Sequence, residues 1–178
     1  MEAEPQPVHR AGSLQWAGLV AVAIAAVVAD QVTKRAIEHR LALDEAHHVL
    51  PGLTITHVRN SGIAFGIFPG RLMIVSVLTM AAVVWMLVHF ARSGSRHALF
   101  PVALGLLVGG SVSNLADRIR EGHVTDFIHI THWPTFNLAD SFIVIGVALL
   151  ALGLMRVEHK KSQAPPVEPD PSPGLDRP

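Results

Sequence analysis

What most constrains this chain is where its charges are missing. Four runs hold no Asp, Glu, Lys or Arg: Ala11–Ala29, Leu72–Ala91, Ala98–Ala116 and Ser141–Met155, of 19, 20, 19 and 15 residues. A hydrocarbon core roughly 30 Å thick takes about 20 apolar residues per helix. The runs therefore read as four membrane spans, at about 13–35, 71–91, 97–116 and 138–157 within one domain over 13–158. A soluble bundle would show a polar stripe at the 3.6-residue period on each helix. The first run could also be a cleaved signal peptide. Its leader, however, sets Glu2 and Glu4 against one strong cation, Arg10, where a signal peptide opens with positive charge. It is read as an uncleaved span.

The ends, 1–12 and the Pro-rich 159–178, read as disordered. Leu53-Thr-Ile-Thr-His-Val58 alternates apolar and polar residues, Arg59-Asn-Ser-Gly62 supplies a turn, and Ile63–Phe68 is a second apolar run. This predicts a small β-rich hairpin element between the first two spans, on the membrane surface. Arg92–His97 is a tight loop that makes spans two and three antiparallel, and part of Asp117–Asp140 suits the interface, with Trp133 in it. The loop cations divide seven and seven between the two sides, so charge leaves the orientation open.

A formal net charge of zero implies no basic surface for nucleic acid. The absence of cysteine excludes disulfides, thiolate metal sites and a cysteine nucleophile. His47, His48 and His57, or His123, His129 and His132, match no zinc signature and read as solvated or interfacial. Ser111 and Ser113 could act as nucleophiles with His123, but they lie in a Gly-rich stretch whose Gly105 and Gly109 suit close helix packing.

Acids at span ends are the candidates for chemistry, because an ionisable group is costly inside a bilayer. Asp30, Asp117, Asp126 and Asp140 would all face one side of the membrane if the spans alternate. Asp30 stands four before Lys34, the favourable order for a helical ion pair. Asp117 has Arg118 next to it and Asn114 three before, so both acids read first as structural. Asp126 and Asp140 have no Lys or Arg within five residues, and Asn137 is placed to cap the helix that Asp140 opens. They are either two solvated interfacial acids or a dyad. Two carboxylates within about 3 Å keep one proton between them. The ionised member can activate water while the protonated one bonds the scissile carbonyl. A transporter using the acids as a relay and a non-catalytic assembly factor are the competing classes.

Five segments together resemble the lipoprotein signal peptidases, or signal peptidase II: Asp30-Gln-Val-Thr-Lys34, Asn60-Ser-Gly-Ile-Ala-Phe-Gly66, Gly109-Gly-Ser-Val-Ser-Asn-Leu-Ala-Asp-Arg118, Val124-Thr-Asp-Phe127 and Phe136-Asn-Leu-Ala-Asp-Ser141. The resemblance spans roughly residues 14–157 and implies a mainly α protein of the bacterial inner membrane. It further implies four transmembrane helices, both termini cytoplasmic, and an active site facing the periplasm or exterior. The activity implied is that of an aspartic endopeptidase, cutting a prolipoprotein just before its diacylglyceryl-modified cysteine. The catalytic carboxylates of the family fall on Asp126 and Asp140. Its supporting positions for structure and substrate contact fall on Asp30, Lys34, Asn60, Gly110, Asn114, Asp117, Arg118, Asn137 and Ala139. No metal or cofactor is implied; membrane lipid and globomycin-type cyclic peptides are the other partners, and the chain is expected to be a monomer. Ser113 stands where the family usually has Gly.

Overall fold

A computed structural model describes residues 11–61, 72–93 and 99–162. The helices are α1 (Ser13–Arg40), α2 (Leu72–Ser93), α3 (Leu99–Glu121) and α4 (Leu138–Ser162). Three strands, β1 (Ala46–Leu50), β2 (Leu53–Asn60) and β3 (Val124–Ile130), form an antiparallel sheet in the order β1-β2-β3.

Helix α3 is the hub, packing against the other three helices, and its small residues set how near they come. A Cβ at Gly109 would stand 2.6 Å from the Ala23 carbonyl oxygen, so that site admits only glycine against α1. Gly110, one residue on, gives the same close approach to the Ala139 carbonyl at the start of α4. The Gly-rich stretch therefore packs helices, as its spacing indicated.

The helices are apolar outside and polar within. Val20, Ile24, Val28 and Val32 form an exposed stripe on α1, while Asp30 and Lys34 of the same helix are buried. That inversion suits a hydrocarbon surround. By length and composition, α1 and α3 are able to cross a bilayer; the apolar parts of α2 and α4, Val77–Arg92 and Leu138–Gly153, are shorter. The apolar core gathers Leu19, Val83, Phe90, Leu104 and Val108, with Trp16 edge-on to Phe90 at 4.9 Å.

Several expectations are corrected. A hairpin turns at Pro51-Gly52, where Gly52 takes φ +83°; of the expected turn Arg59–Gly62, Arg59 and Asn60 continue β2 and Gly62 lies outside the described residues. The sheet is not confined to the segment between the first two helices, because β3 comes from between α3 and α4. Helices α1 and α3 run past the expected span ends to Arg40 and Glu121, so Asp117 lies inside a helix. Helix α4 continues to Ser162, through residues expected to be disordered. Residues 1–10 and 163–178, the Ile63–Phe68 run and most of the loop between α2 and α3 lie outside the described residues.

Candidate active site

The four acids converge on one end of the bundle in two joined clusters. In the first, Lys34 Nζ donates to Asp30 Oδ2 at 2.6 Å, Asp117 Oδ2 at 2.6 Å and Asn114 Oδ1 at 2.8 Å. An ammonium has three donors, and all three are used. Asp117 thus pairs across the helices with Lys34 and not with Arg118, since consecutive helical residues do not face each other. Gln31 Nε2 donates to Asp117 Oδ1 at 2.6 Å and to Ser113 Oγ at 3.1 Å, and Ser113 Oγ donates to Asp30 Oδ2 at 2.7 Å. Ser113 therefore fits, fully buried, and adds a bond between α3 and α1.

Asp30 has a second task. Its Oδ1 accepts the backbone N–H of Ala139 at 2.9 Å, one of the donors left open at the start of α4. Asn137 caps the same helix: its Oδ1 accepts the Asp140 N–H at 2.9 Å, and Asp140 Oδ2 accepts the Asn137 N–H at 3.3 Å. The position of Asp140 is thus fixed by a local cap and by a carboxylate on α1.

The second cluster is Asp126 and Asp140. Asp126, on β3, accepts from Asn60 Nδ2 at 2.9 Å on one oxygen and from Asn137 Nδ2 at 2.7 Å on the other. Asn60 reaches it because β2 pairs with β3 and sets Asn60 opposite Val124. Asp140 Oδ1 accepts from Asn114 Nδ2 at 2.8 Å. Asn137 is bonded to both acids. The orientation of Asn114 follows from chemistry: Lys34 and Asn137 both present donors, so the Asn114 oxygen must face them and its NH2 must face Asp140. The charge of the first cluster therefore aims the amide that holds the second.

Burial pushes the Asp126 carboxyl up to about 6; the bond from Asn60 opposes the rise, the negative field of Asp140 adds to it, and Asn137 and Lys34 oppose it. A carboxyl at that value is available in both protonation states near neutrality.

Both acids open onto a cleft of about 820 Å³. Arg118 and Asn114 also line it, with Ile130–Phe136, the segment between β3 and α4, on one side and Ile143–Ile145 of α4 on another. Arg118 reaches back to the Asn114 carbonyl at 3.3 Å and lies in the fields of Asp140 and Asp126. Gly110 and the fully buried Ala139 bring α3 and α4 together beside the acids. Five of the histidines bond protein groups: His47 with Glu45, His48 with Thr54, His57 with the Leu41 carbonyl, His123 with Glu121 and His129 with Thr135.

Sequence reasoning also missed a connection from β3 to α1. Thr125 Oγ1 donates to Glu38 Oε1 at 2.6 Å, tying β3 to α1 directly beside Asp126. Glu38 continues the stripe Asp30, Lys34 at the same four-residue interval, which is the signal that could have revealed it.

Residues 22–156 match the model of the signal peptidase (SPase) II family. Curated relatives include the lipoprotein signal peptidase of Symbiobacterium thermophilum, 43% identical over 148 residues, covering 79% of this chain and 96% of that protein. That of Geobacter metallireducens is 39% identical over 150 residues, covering 80% and 93%. Among solved structures, a bacterial membrane enzyme determined by the in meso method at 2.3 Å resolution superposes with a TM-score of 0.79 at 28% identity. It covers 92% of this chain and 100% of its own. A second such structure, at 1.9 Å, gives a TM-score of 0.74 at 29% identity, covering 85% and 99%.

Proposed function

The chain belongs to the signal peptidase II family, and from that membership we propose that it is an intramembrane aspartic endopeptidase that removes signal peptides from prolipoproteins. The cut falls just before a cysteine already carrying a diacylglyceryl group. The observation that carries this reading is the convergence of Asp126 and Asp140 on one cleft, each oriented by amide donors and neither paired to a cation within 4 Å among the described residues.

In the proposed reaction the ionised member of the pair takes a proton from water as its oxygen attacks the scissile carbonyl carbon. The protonated member donates to the carbonyl oxygen. As the tetrahedral intermediate collapses and the C–N bond breaks, the proton taken from water passes to the leaving amine, a hydroxyl proton of the intermediate returns to the other carboxylate, and the pair regains its starting state. The pair holds the shared proton jointly, and no metal or organic cofactor enters. Asn60, Asn114 and Asn137 keep the carboxylates aimed. Asp30, Lys34 and Asp117 hold the helices that carry them, and Gly110 and Ala139 allow the approach. Arg118, which lines the cleft, would contact the substrate.

The four helices are proposed to span the bacterial inner membrane with both termini cytoplasmic, the sheet lying on the outer surface and the cleft facing the periplasm or exterior. The exposed Val144 lines that cleft, so the substrate's acyl chains would stay in the bilayer while its peptide enters. Globomycin-type cyclic peptides would compete for the same cleft. The enzyme is proposed to act as a monomer.

The test is cleavage of a synthetic diacylglyceryl-modified prolipoprotein by detergent-purified wild type, Asp126→Asn and Asp140→Asn, with and without globomycin. Wild-type cleavage before the modified cysteine, blocked by globomycin and reduced about 10²–10⁴-fold in each variant, supports the reading. Substantial activity in either folded variant, or none in folded wild type, overturns it.

A further inference from the structure

A hydroxyl on a helix and away from water ordinarily bonds back onto the carbonyl four residues before it. Thr33 does so at 2.7 Å on Ala29, and Ser141 at 3.3 Å on Asn137. Ser113 instead donates to Asp30. Ser111, on the same helix, does neither: its hydroxyl has no hydrogen-bond partner among the described residues, although the residue is only 8% exposed. The exposure that it keeps opens on the cleft. There it stands three residues nearer the middle of α3 than Asn114, the amide that holds Asp140, or about 4.5 Å along the helix axis.

Its surroundings make an idle hydroxyl costly. Leu107, Val108 and Leu115 flank Ser111 one turn away on α3, and Ile143 and Val144 of α4 line the cleft with it. A polar group in such a place costs free energy until something bonds it. No histidine does so among the described residues, so Ser111 lacks the base that a nucleophile needs. Its partner must come from what enters the cleft. A signal peptide has the complementary need. It crosses a bilayer as a helix, with its main-chain groups bonded internally. To present the scissile carbonyl to Asp126 and Asp140, the end of that helix has to open. Opening leaves main-chain N–H and C=O groups unbonded on the side that runs back into the bilayer, and Ser111 lies on that side of the acids. An extended chain covers about 3.3 Å per residue, so 4.5 Å is reached within about two residues of the cut. We propose that Ser111 is a substrate-binding residue, whose hydroxyl bonds a main-chain group of the signal peptide within the three residues before the scissile bond. A hydroxyl both donates and accepts, so it serves either kind of group. This deepens the peptidase reading and rests on it.

The experiment measures cleavage of diacylglyceryl-modified precursor by the detergent-purified full chain and by Ser111→Ala, which removes the hydroxyl and little else. Because no internal bond is lost, the melting temperature is expected to match wild type, while kcat/KM falls about tenfold. A second arm uses three precursors, each with one of the three amides before the scissile bond replaced by an ester, which removes one N–H and weakens one C=O. At one position the ester is expected to slow wild type about tenfold and to leave Ser111→Ala no slower than it already is with the all-amide precursor. Equal kcat/KM for wild type and Ser111→Ala overturns the contact. So does a loss in Ser111→Ala matched by a fall in melting temperature, or ester and alanine losses that multiply at all three positions. In each of these cases wild type still cleaves, so the peptidase reading stands; no cleavage by folded wild type overturns that reading and the contact together.

Discussion

Two pairs of aspartates share one end of this protein and live by opposite rules. Asp30 and Asp117 are closed in, share a buried lysine, and spend their remaining acceptors on Ser113, Gln31 and the start of α4. Asp126 and Asp140 face a cleft and are held by neutral amides. A paired carboxylate whose acceptors are all used serves as a fastener. A carboxylate held by amides and short of water keeps its proton exchangeable. The same side chain is made structural or reactive by whether its partner is a cation.

The largest effect that sharpens this contrast is on rate: Asp140→Asn is expected to lower kcat about 10²–10⁴-fold while the melting temperature in detergent stays near wild type. A matched loss of stability would break the comparison. Lys34→Met should do the reverse first, costing about 3–5 kcal/mol of stability by leaving two buried carboxylates without their cation. Denaturation in mixed micelles reads this, and activity falls with it because Asn114 loses the donor that orients it.

Acidity gives the next effect. With Asp126 at about 6, kcat/KM should decline on the alkaline side of that value as the shared proton is lost. Asn60→Ala, by removing a donor that favours the charged form, should move the limb upward. The linkage to stability has a definite sign. The folded value lies above the ordinary 3.8, so folding favours protonated Asp126, and that stabilisation is whole below about pH 4 and lost as pH rises to 6. Wild type should therefore lose up to about 1.4 kcal/mol per pH unit in that window relative to Asp126→Asn. The smallest effect concerns the tie beside the reactive pair. Thr125→Val should cost about 1 kcal/mol of stability, with Thr125→Ser restoring it.

Much of the site was legible along the chain, and the reason is range. The Asp30–Lys34 pair and the Asn137 cap of Asp140 each lie within four residues, where helix geometry alone sets who meets whom. The pairing of Asp117 with Lys34, 83 residues away, was not legible, and the nearest cation in sequence pointed to the wrong partner. The four-residue interval from Asp30 and Lys34 marked Glu38, but nothing in the sequence named Thr125, 87 residues away, as its partner. The β1–β2 hairpin at Pro51-Gly52 was not legible either, because the strand Ala46–Leu50 lacks the alternation that marks Leu53–Val58.

The sequence by itself determined that charge would be kept out of four long runs, that acids would gather at their ends, and where two of those acids would find local partners. Period, spacing and transfer cost are properties of the chain. Only the tertiary structure decided which acids became fasteners and which face a cleft, because that choice depends on how near α1 and α4 come to α3. Gly109 and Gly110 set that distance through space, where the order of residues has no say.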